Sequence, residues 1–292
     1  MQLDPVEAAR IARTSALSAA WKDGLRTAER AARAGGSHLV ANRSQLALAF
    51  LSRRTPLQQL ASIAESAQDL MRDEIRRRYP GHVVIGRAEL ATASEWNRGP
   101  VWLINALDGA TAYLADKAGW AVTLALLIDG RVRLGVVVDL VGGRVYRAMA
   151  GSGADRLAVQ GVASPDLAPQ ARLVPSSRQH LADSRAWTQF PLPGSPTMAT
   201  FSREFGRASV GFRSIARHPS VSLAMAEVAA GEADAFWCHH PVPCDTAAAT
   251  LLLSEAGASV RARDGRPLLE STSITACAPG LAYDFHALLA GL

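Results

Sequence analysis

The spacing of apolar residues changes several times along this chain, and each change marks an element. Between residues 56 and 79, Ile63, Ala67, Leu70, Met71 and Ile75 recur at helical intervals and predict one buried stripe, with Pro80-Gly81 ending the helix. Residues 82–85 read as a short strand stopped by Gly86. Residues 120–128 are continuously apolar and β-prone, Asp129-Gly130 supplies a two-residue hairpin turn, and residues 131–140 return. Gly142-Gly143 turns again into residues 144–147, which completes an antiparallel meander. Residues 219–230 predict a helix ended by Gly231, residues 233–237 a strand, and Asp245 the start of a helix over 246–256 ended by Gly257.

Two regions have weaker patterns. Residues 5–34 are rich in alanine and arginine and predict a helix that Gly35-Gly36 closes, with a second helical stretch over 45–52. Residues 151–202 carry Pro165, Pro169, Pro175, Pro191, Pro193 and Pro196 and predict a loop-rich boundary. The expected division is an N-terminal lobe over 1–153, with the meander, and a C-terminal lobe over 154–292.

Composition changes this picture little. The chain has 292 residues, 49% apolar and 20% charged, as in ordinary globular proteins, and no apolar run reaches the ~18 residues of a membrane span. The first residues have no basic or apolar leader, and the three cysteines (Cys238, Cys244, Cys277) are an odd number; both point to the cytoplasm. The net charge of +5 rests almost wholly on dispersed arginines, since lysine occurs only at Lys22 and Lys117. The densest run, Arg76-Arg77-Arg78, closes a predicted helix, where positive charge suits the dipole. The expected partner is therefore not nucleic acid, nor a membrane. Trp96 and Trp120 read as core aromatics.

The chemistry gathers at residues 102–111, Trp-Leu-Ile-Asn-Ala-Leu-Asp-Gly-Ala-Thr, where an apolar strand runs into an Asp-Gly turn. Oxygen ligands at a strand tip suit a hard cation such as Mg²⁺. The segment resembles the metal-binding signature of the inositol monophosphatase family, Trp-Ile-Asp-Pro-(Ile/Leu)-Asp-Gly-Thr. Further motifs follow in the family's order. Tyr79-Pro80-Gly81-His82-Val83-Val84-Ile85-Gly86 is similar to Tyr-Pro-x-His-x-(Ile/Phe)-Ile-Gly, and Gly151-Ser152-Gly153-Ala154 to Gly-x-Gly-Ala. Arg213-Ser214, residues 231–236 and Cys244-Asp245-Thr246-Ala247-Ala248 complete the match, from about residue 55 to the C-terminus.

The resemblance implies an α+β fold, a layered αβαβα sandwich with a cleft between two lobes, and Mg²⁺-dependent hydrolysis of phosphomonoesters. It assigns Asp108 and Asp245 as carboxylate ligands, Leu107 as a carbonyl ligand and Asn105 in place of a third ligand Asp. Arg87 and Ala88 stand where the family has Glu-Glu, while Ala64 and Ala110 replace the water-orienting Asp and Thr. Glu65, Glu89 and Thr111 have suitable chemistry one or two residues out of register. The expected substrate-binding set is Arg87, Gly109, Ala110, Thr111, Arg213, Cys238 and His239; Arg213, Arg217 and His218 together suit an anionic substrate, and equally suit structural roles, Arg213 in an ion pair and His218 ahead of the helix at Pro219. Asp245 also suits a helix N-cap.

With two carboxylates and an added guanidinium, the expectation is a family protein with a degraded metal site, a pseudoenzyme whose cleft keeps a phosphorylated or anionic small molecule. Arg87 would stand in for a cation, pairing with Asp108 or holding a phosphate. Three alternatives stay open: an active phosphatase with fewer Mg²⁺ ions that uses Glu89 or Glu65; a structural or interaction protein with a vestigial cleft; and a repurposed enzyme built on Cys238-His239-His240-Pro241-Val242-Pro243-Cys244-Asp245. That loop expects no tightly bound zinc, since adjacent histidines in extended chain point apart and two prolines stiffen it. One histidine should face the cleft and the other pack or meet solvent. The family is often dimeric, so a homodimer is implied.

Overall fold

The structure, a computed structural model, describes residues 5–51, 57–90, 98–158 and 169–291. Two long helices, α1 (Pro5–Leu51) and α2 (Leu57–Arg78), pack together. They cover a seven-stranded sheet in which strands follow chain order: β1 (Val83–Gly86), β2 (Pro100–Asp108), β3 (Ala121–Ile128), β4 (Arg131–Asp139), β5 (Arg144–Met149), β6 (Gly153–Ala158) and β7 (Pro169–Arg172). Among the described residues of this sheet, β1 and β2 pair in parallel and the other strands form an antiparallel meander. A second sheet has the order β11-β12-β10-β8-β9, with β8 Arg185–Thr188, β9 Ser214–Arg217, β10 Ala235–His239, β11 Ser259–Ala262 and β12 Ser273–Cys277. Between the sheets lie α5 (Val221–Ala229) and α6 (Pro243–Ala256), while α4 (Met198–Gly211) and α7 (Ala282–Ala290) cover the outer face of the second sheet; the short α3 (Ala110–Leu114) follows β2.

Strand periodicity builds these layers. On β2, Trp102 and Ile104 point to the α1–α2 side, whereas Val101 and Leu103 point to the α5–α6 side. On β10, Phe236 and Cys238 face α5–α6, and Ala235 and Trp237 face α4 and α7. Both faces of each sheet are covered, which is why their strands read as unbroken apolar runs. The five layers form the expected αβαβα sandwich.

Several expectations need correction. Gly35-Gly36 does not end a helix: α1 runs through it and takes in residues 45–51. These glycines serve close packing instead. A Cβ on Gly35 would stand 2.7 Å from Met71 Cγ and 2.9 Å from the Ala67 carbonyl oxygen, and one on Gly36 would stand 2.6 Å from Leu140 Cδ1. On α2 the buried residues are Leu60, Ala67, Met71 and Ile75, with Ile63 half-buried, while Leu70 is exposed. The stretch over 151–202 contains β6, β7, β8 and the start of α4, whose short elements its prolines disguise. Residues 159–168, with Pro165, and Trp96 lie outside the described residues. Asp245 is not an N-cap, because α6 starts at Pro243 after a cap at Val242. Trp120 is fully buried, edge-on to Tyr113 at 5.2 Å.

The placement of α6 matters most for the cleft, and Gly135 on β4 sets it. A Cβ there would lie 2.7 Å from the Ala248 carbonyl oxygen and 2.9 Å from its Cα, both backbone atoms of α6. Gly135→Ala is expected to push α6 off the sheet and cost about 1–3 kcal/mol, a fall in Tm of roughly 2–8 °C by thermal denaturation.

Candidate functional site

The parallel pairing of β1 with β2 matches Gly86 with Ile104, so both strands deliver their C-terminal residues to one place. Arg87 leaves β1 beside Asn105 on β2. Between Asn105 and Asp108 the β2–β3 register shifts by a bulge, which re-aims the chain before it turns at Gly109. Gly109 has φ 98°, and a Cβ would stand 2.7 Å from the Gly119 carbonyl oxygen, so the Asp-Gly turn needs its glycine. The first turns of α5 and α6 approach from the opposite side, bringing Ser220, Ser222 and Asp245.

Two buried carboxylates anchor the site. Asp245 Oδ2 accepts from Arg87 Nη1 at 2.7 Å, and its Oδ1 accepts from Asn105 Nδ2 at 2.7 Å. Asn105 Oδ1 in turn accepts from the Leu107 N–H at 3.0 Å. Only one amide orientation satisfies both contacts, since a carboxylate needs a donor and an N–H an acceptor. Burial, then the nearby Asp108 charge, pushes the Asp245 carboxyl well above the usual carboxylate range, against Arg87 and Asn105, which pull it down. Asp108 is bound differently. Its Oδ2 accepts from Ser220 Oγ (2.6 Å), Ser222 Oγ (2.7 Å) and Ser222 N (2.8 Å) at the start of α5. Ser220 is the side-chain cap of that helix, accepting from Leu223 N. Both serines escaped the sequence reading, although Ser at a helix start is the ordinary cap signal.

Of the two roles expected for Arg87, a pairing with Asp108 or a phosphate contact, the structure corrects the first by pairing it with Asp245: Asp108 is taken up by the serines, while Asp245 opens toward the end of β1. Ala64 is half-buried on α2 and Ala110 half-buried at the start of α3; Glu65 and Thr111 are exposed. Glu89 is tied down, accepting from the Gly86 N–H at 2.5 Å and pairing with Arg72.

A cleft of about 520 Å³ opens beside Arg87 and Asp245, walled by the 189–195 and 238–242 segments. Cys238 and His239 line it, but Arg213 and Arg217 do not. Both are exposed at β9, the edge strand of the second sheet, and the Arg213 N–H is bonded to the Leu181 and Ser184 carbonyls. His218 is buried edge-on to Trp187 at 5.4 Å. Cys238 is interior, and burial pushes its thiol up to about 12; Cys244 is likewise pushed up by burial. His239 Nε2 meets Glu204 Oε2 at 2.7 Å, whereas His240 is exposed at φ 51°. Among the described residues, no three His, Cys, Asp or Glu side chains are grouped to hold a metal ion.

The chain matches the family model described as the inositol monophosphatase family over residues 21–291. It is 30% identical over 240 residues to Nus factor SuhB of Pseudomonas aeruginosa, covering 81% of this chain and 84% of that one. It is 23% identical over 236 residues to inositol-1-monophosphatase of Bacillus subtilis, covering 80% and 84%. Among solved structures, Mycobacterium tuberculosis SuhB superposes with a TM-score of 0.75 at 21% identity, covering 92% of this chain and 96% of that one.

The Glu204 pair yields a pH test. Glu204 is 1% exposed, and its Oε1 pairs with Arg263 at 2.5 Å. Burial alone would raise its pKa, but the hydrogen bonds from His239 and Arg263 and the Arg263 charge prevail, so the folded value is lowered. A lowered folded value gives stability that is present above the unfolded pKa and lost as pH falls through the folded one. Glu204→Gln is therefore expected to lower Tm at neutral pH, and the gap to the parent protein should shrink as pH drops below the carboxylate range.

Proposed function

Because the chain belongs to the inositol monophosphatase family, we propose that it keeps the family's cleft for a phosphorylated or otherwise anionic small molecule and is impaired in metal-assisted phosphomonoester hydrolysis. The observation that carries this reading is the contact of Arg87 with Asp245. A family site collects carboxylate oxygens to hold Mg²⁺. Here one Asp245 oxygen faces a guanidinium and the other an amide N–H, while the Asn105 oxygen is turned to its own backbone. Three donors on Asp108 Oδ2 add to this. Two carboxylates, one of them held well above the usual carboxylate range, and one permanent cation leave a net charge no more negative than −1, and a cation entering there must displace N–H donors. This donor set does not fit the family's metals as it stands.

What the residues can do is bind. The Arg87 side chain is about half exposed at the cleft, so its remaining N–H groups can meet a phosphate as a planar fork. The water-orienting positions are Ala64 and Ala110, which have no hydroxyl or carboxylate to offer. Losing one transition-state contact costs about 10²–10³ in rate, and several are absent. A cytoplasmic setting and a homodimer belong to the same proposal.

Phosphomonoester assays with Mg²⁺ or Mn²⁺ are expected to show very low turnover. In EDTA, inorganic phosphate is expected to raise the Tm, and Arg87→Ala to abolish that shift. Efficient metal-dependent turnover that is lost in Asp108→Asn would favour the active phosphatase. Absence of any anion effect would favour an interaction protein with a vestigial cleft.

The reverse experiment concerns Asn105. Asn105→Asp sets two carboxylates against each other where an amide now bridges, so its Tm should fall in EDTA and recover with Mg²⁺ or Mn²⁺ more than the parent's does. Equal responses to metal in both proteins would count against the role given to the Asn105 amide.

A further inference from the structure

The far wall of the cleft has a different chemistry from its anionic end. Residues 189–195 read Gln-Phe-Pro-Leu-Pro-Gly-Ser, and the wall opposite is completed by Pro241 and Val242. Leu192, Pro193, Gly194 and Ser195 form a tight turn: the Ser195 N–H donates to the Leu192 carbonyl at 3.0 Å, and Gly194 has φ 80°. Proline followed by a positive-φ glycine is the type II pattern, which fixes the turn before any ligand arrives. Phe190 is braced from behind by Phe201 at 5.3 Å and Phe205 at 5.7 Å. Yet Phe190 remains 48% exposed and Leu192 80% exposed. A braced Phe190 and an exposed Leu192 on a fixed turn, both wet at the cleft, are suited to contact with an apolar surface.

Three of the polar side chains on this wall, Gln189, Ser195 and His239, are already engaged within the protein, and His240 stands exposed beside Pro241. The Gln189 amide donates to the His218 carbonyl at 2.6 Å. Ser195 Oγ pairs with Thr197 Oγ1 at 2.9 Å, and His239 Nε2 with Glu204. A polyol needs a partner for each hydroxyl it buries, and an unmatched hydroxyl is costly to desolvate. A flat apolar ring makes no such demand and gains from Phe190, Leu192 and the prolines.

Resting on the anion reading above, we propose that the ligand of this cleft is an aryl phosphate, a phosphate ester of an aromatic ring system, with its phosphate at Arg87 and its ring against the Phe190–Leu192 wall. The cleft volume of about 520 Å³ is within the range for a ligand of that size.

The test is calorimetric titration of the full chain in EDTA with inorganic phosphate, 1-naphthyl phosphate and myo-inositol 1-phosphate. The naphthyl ester is expected to bind about tenfold or more tightly than the inositol ester. Leu192→Asn, at a position too exposed to threaten folding, should lower naphthyl ester affinity several-fold more than phosphate affinity; Phe190→Ser should do the same. Equal or tighter binding of the inositol ester overturns the proposal, as does a naphthyl preference that survives both substitutions. If phosphate still binds and Arg87→Ala abolishes that binding, the anion reading stands while the aryl assignment falls. If no anion binds, both fall.

Discussion

A buried carboxylate must be neutralised or hydrogen-bonded, and Asp245 is the point where this protein meets that requirement between its layers. Asp245 sits on α6, the helix held between the two sheets, and its two oxygens are bound by residues from adjacent strands of the first sheet. The Coulomb attraction of a guanidinium at contact distance grows as water is excluded, but so does the cost of leaving either group alone. Arg87, Asn105 and Asp245 are therefore one unit. Replacing one of them changes what the other two can hold. The same logic separates Asp108, whose charge is met by hydroxyls and a backbone N–H at a helix start instead of a cation.

Much of this frame was legible in the sequence. The meander followed from a continuous apolar run, an Asp-Gly turn and its return, because local turn chemistry and strand periodicity act over a few residues. The motif order fixed the fold class and put Arg87, Asn105, Asp108 and Asp245 in one site. Pairings were another matter. Arg87 meets a residue 158 positions away, and no local pattern says whether a guanidinium turns to Asp108 or to Asp245. Nor does any pattern join Glu204 to His239 and Arg263 across three elements.

The errors have physical causes too. Gly35-Gly36 looked like a helix end because glycine has low helix propensity, yet tertiary contact with Met71 and Leu140 outweighs that cost. The proline-rich stretch after residue 151 hid β8 because a four-residue strand in the interior of a sheet is specified by its neighbours, here β9 and β10. Arg213 sits in a motif similar to the family's but reaches solvent, so a matched motif gave a position in the chain without giving a direction for its side chain.

Upstream of the site, Tyr79 stacks on His82 at 4.6 Å, and Trp102 Nε1 donates to His82 Nδ1 at 3.0 Å. Strand β1 is only four residues long, too short to choose its own alignment by hydrogen bonding alone. The aromatic clamp sets where β1 begins against β2, and so decides which residue emerges when the strand runs out. A slip by one position would present Gly86 or Ala88 to Asp245 in place of the guanidinium. The cleft's electric charge is thus set at a distance, by three rings that never touch it.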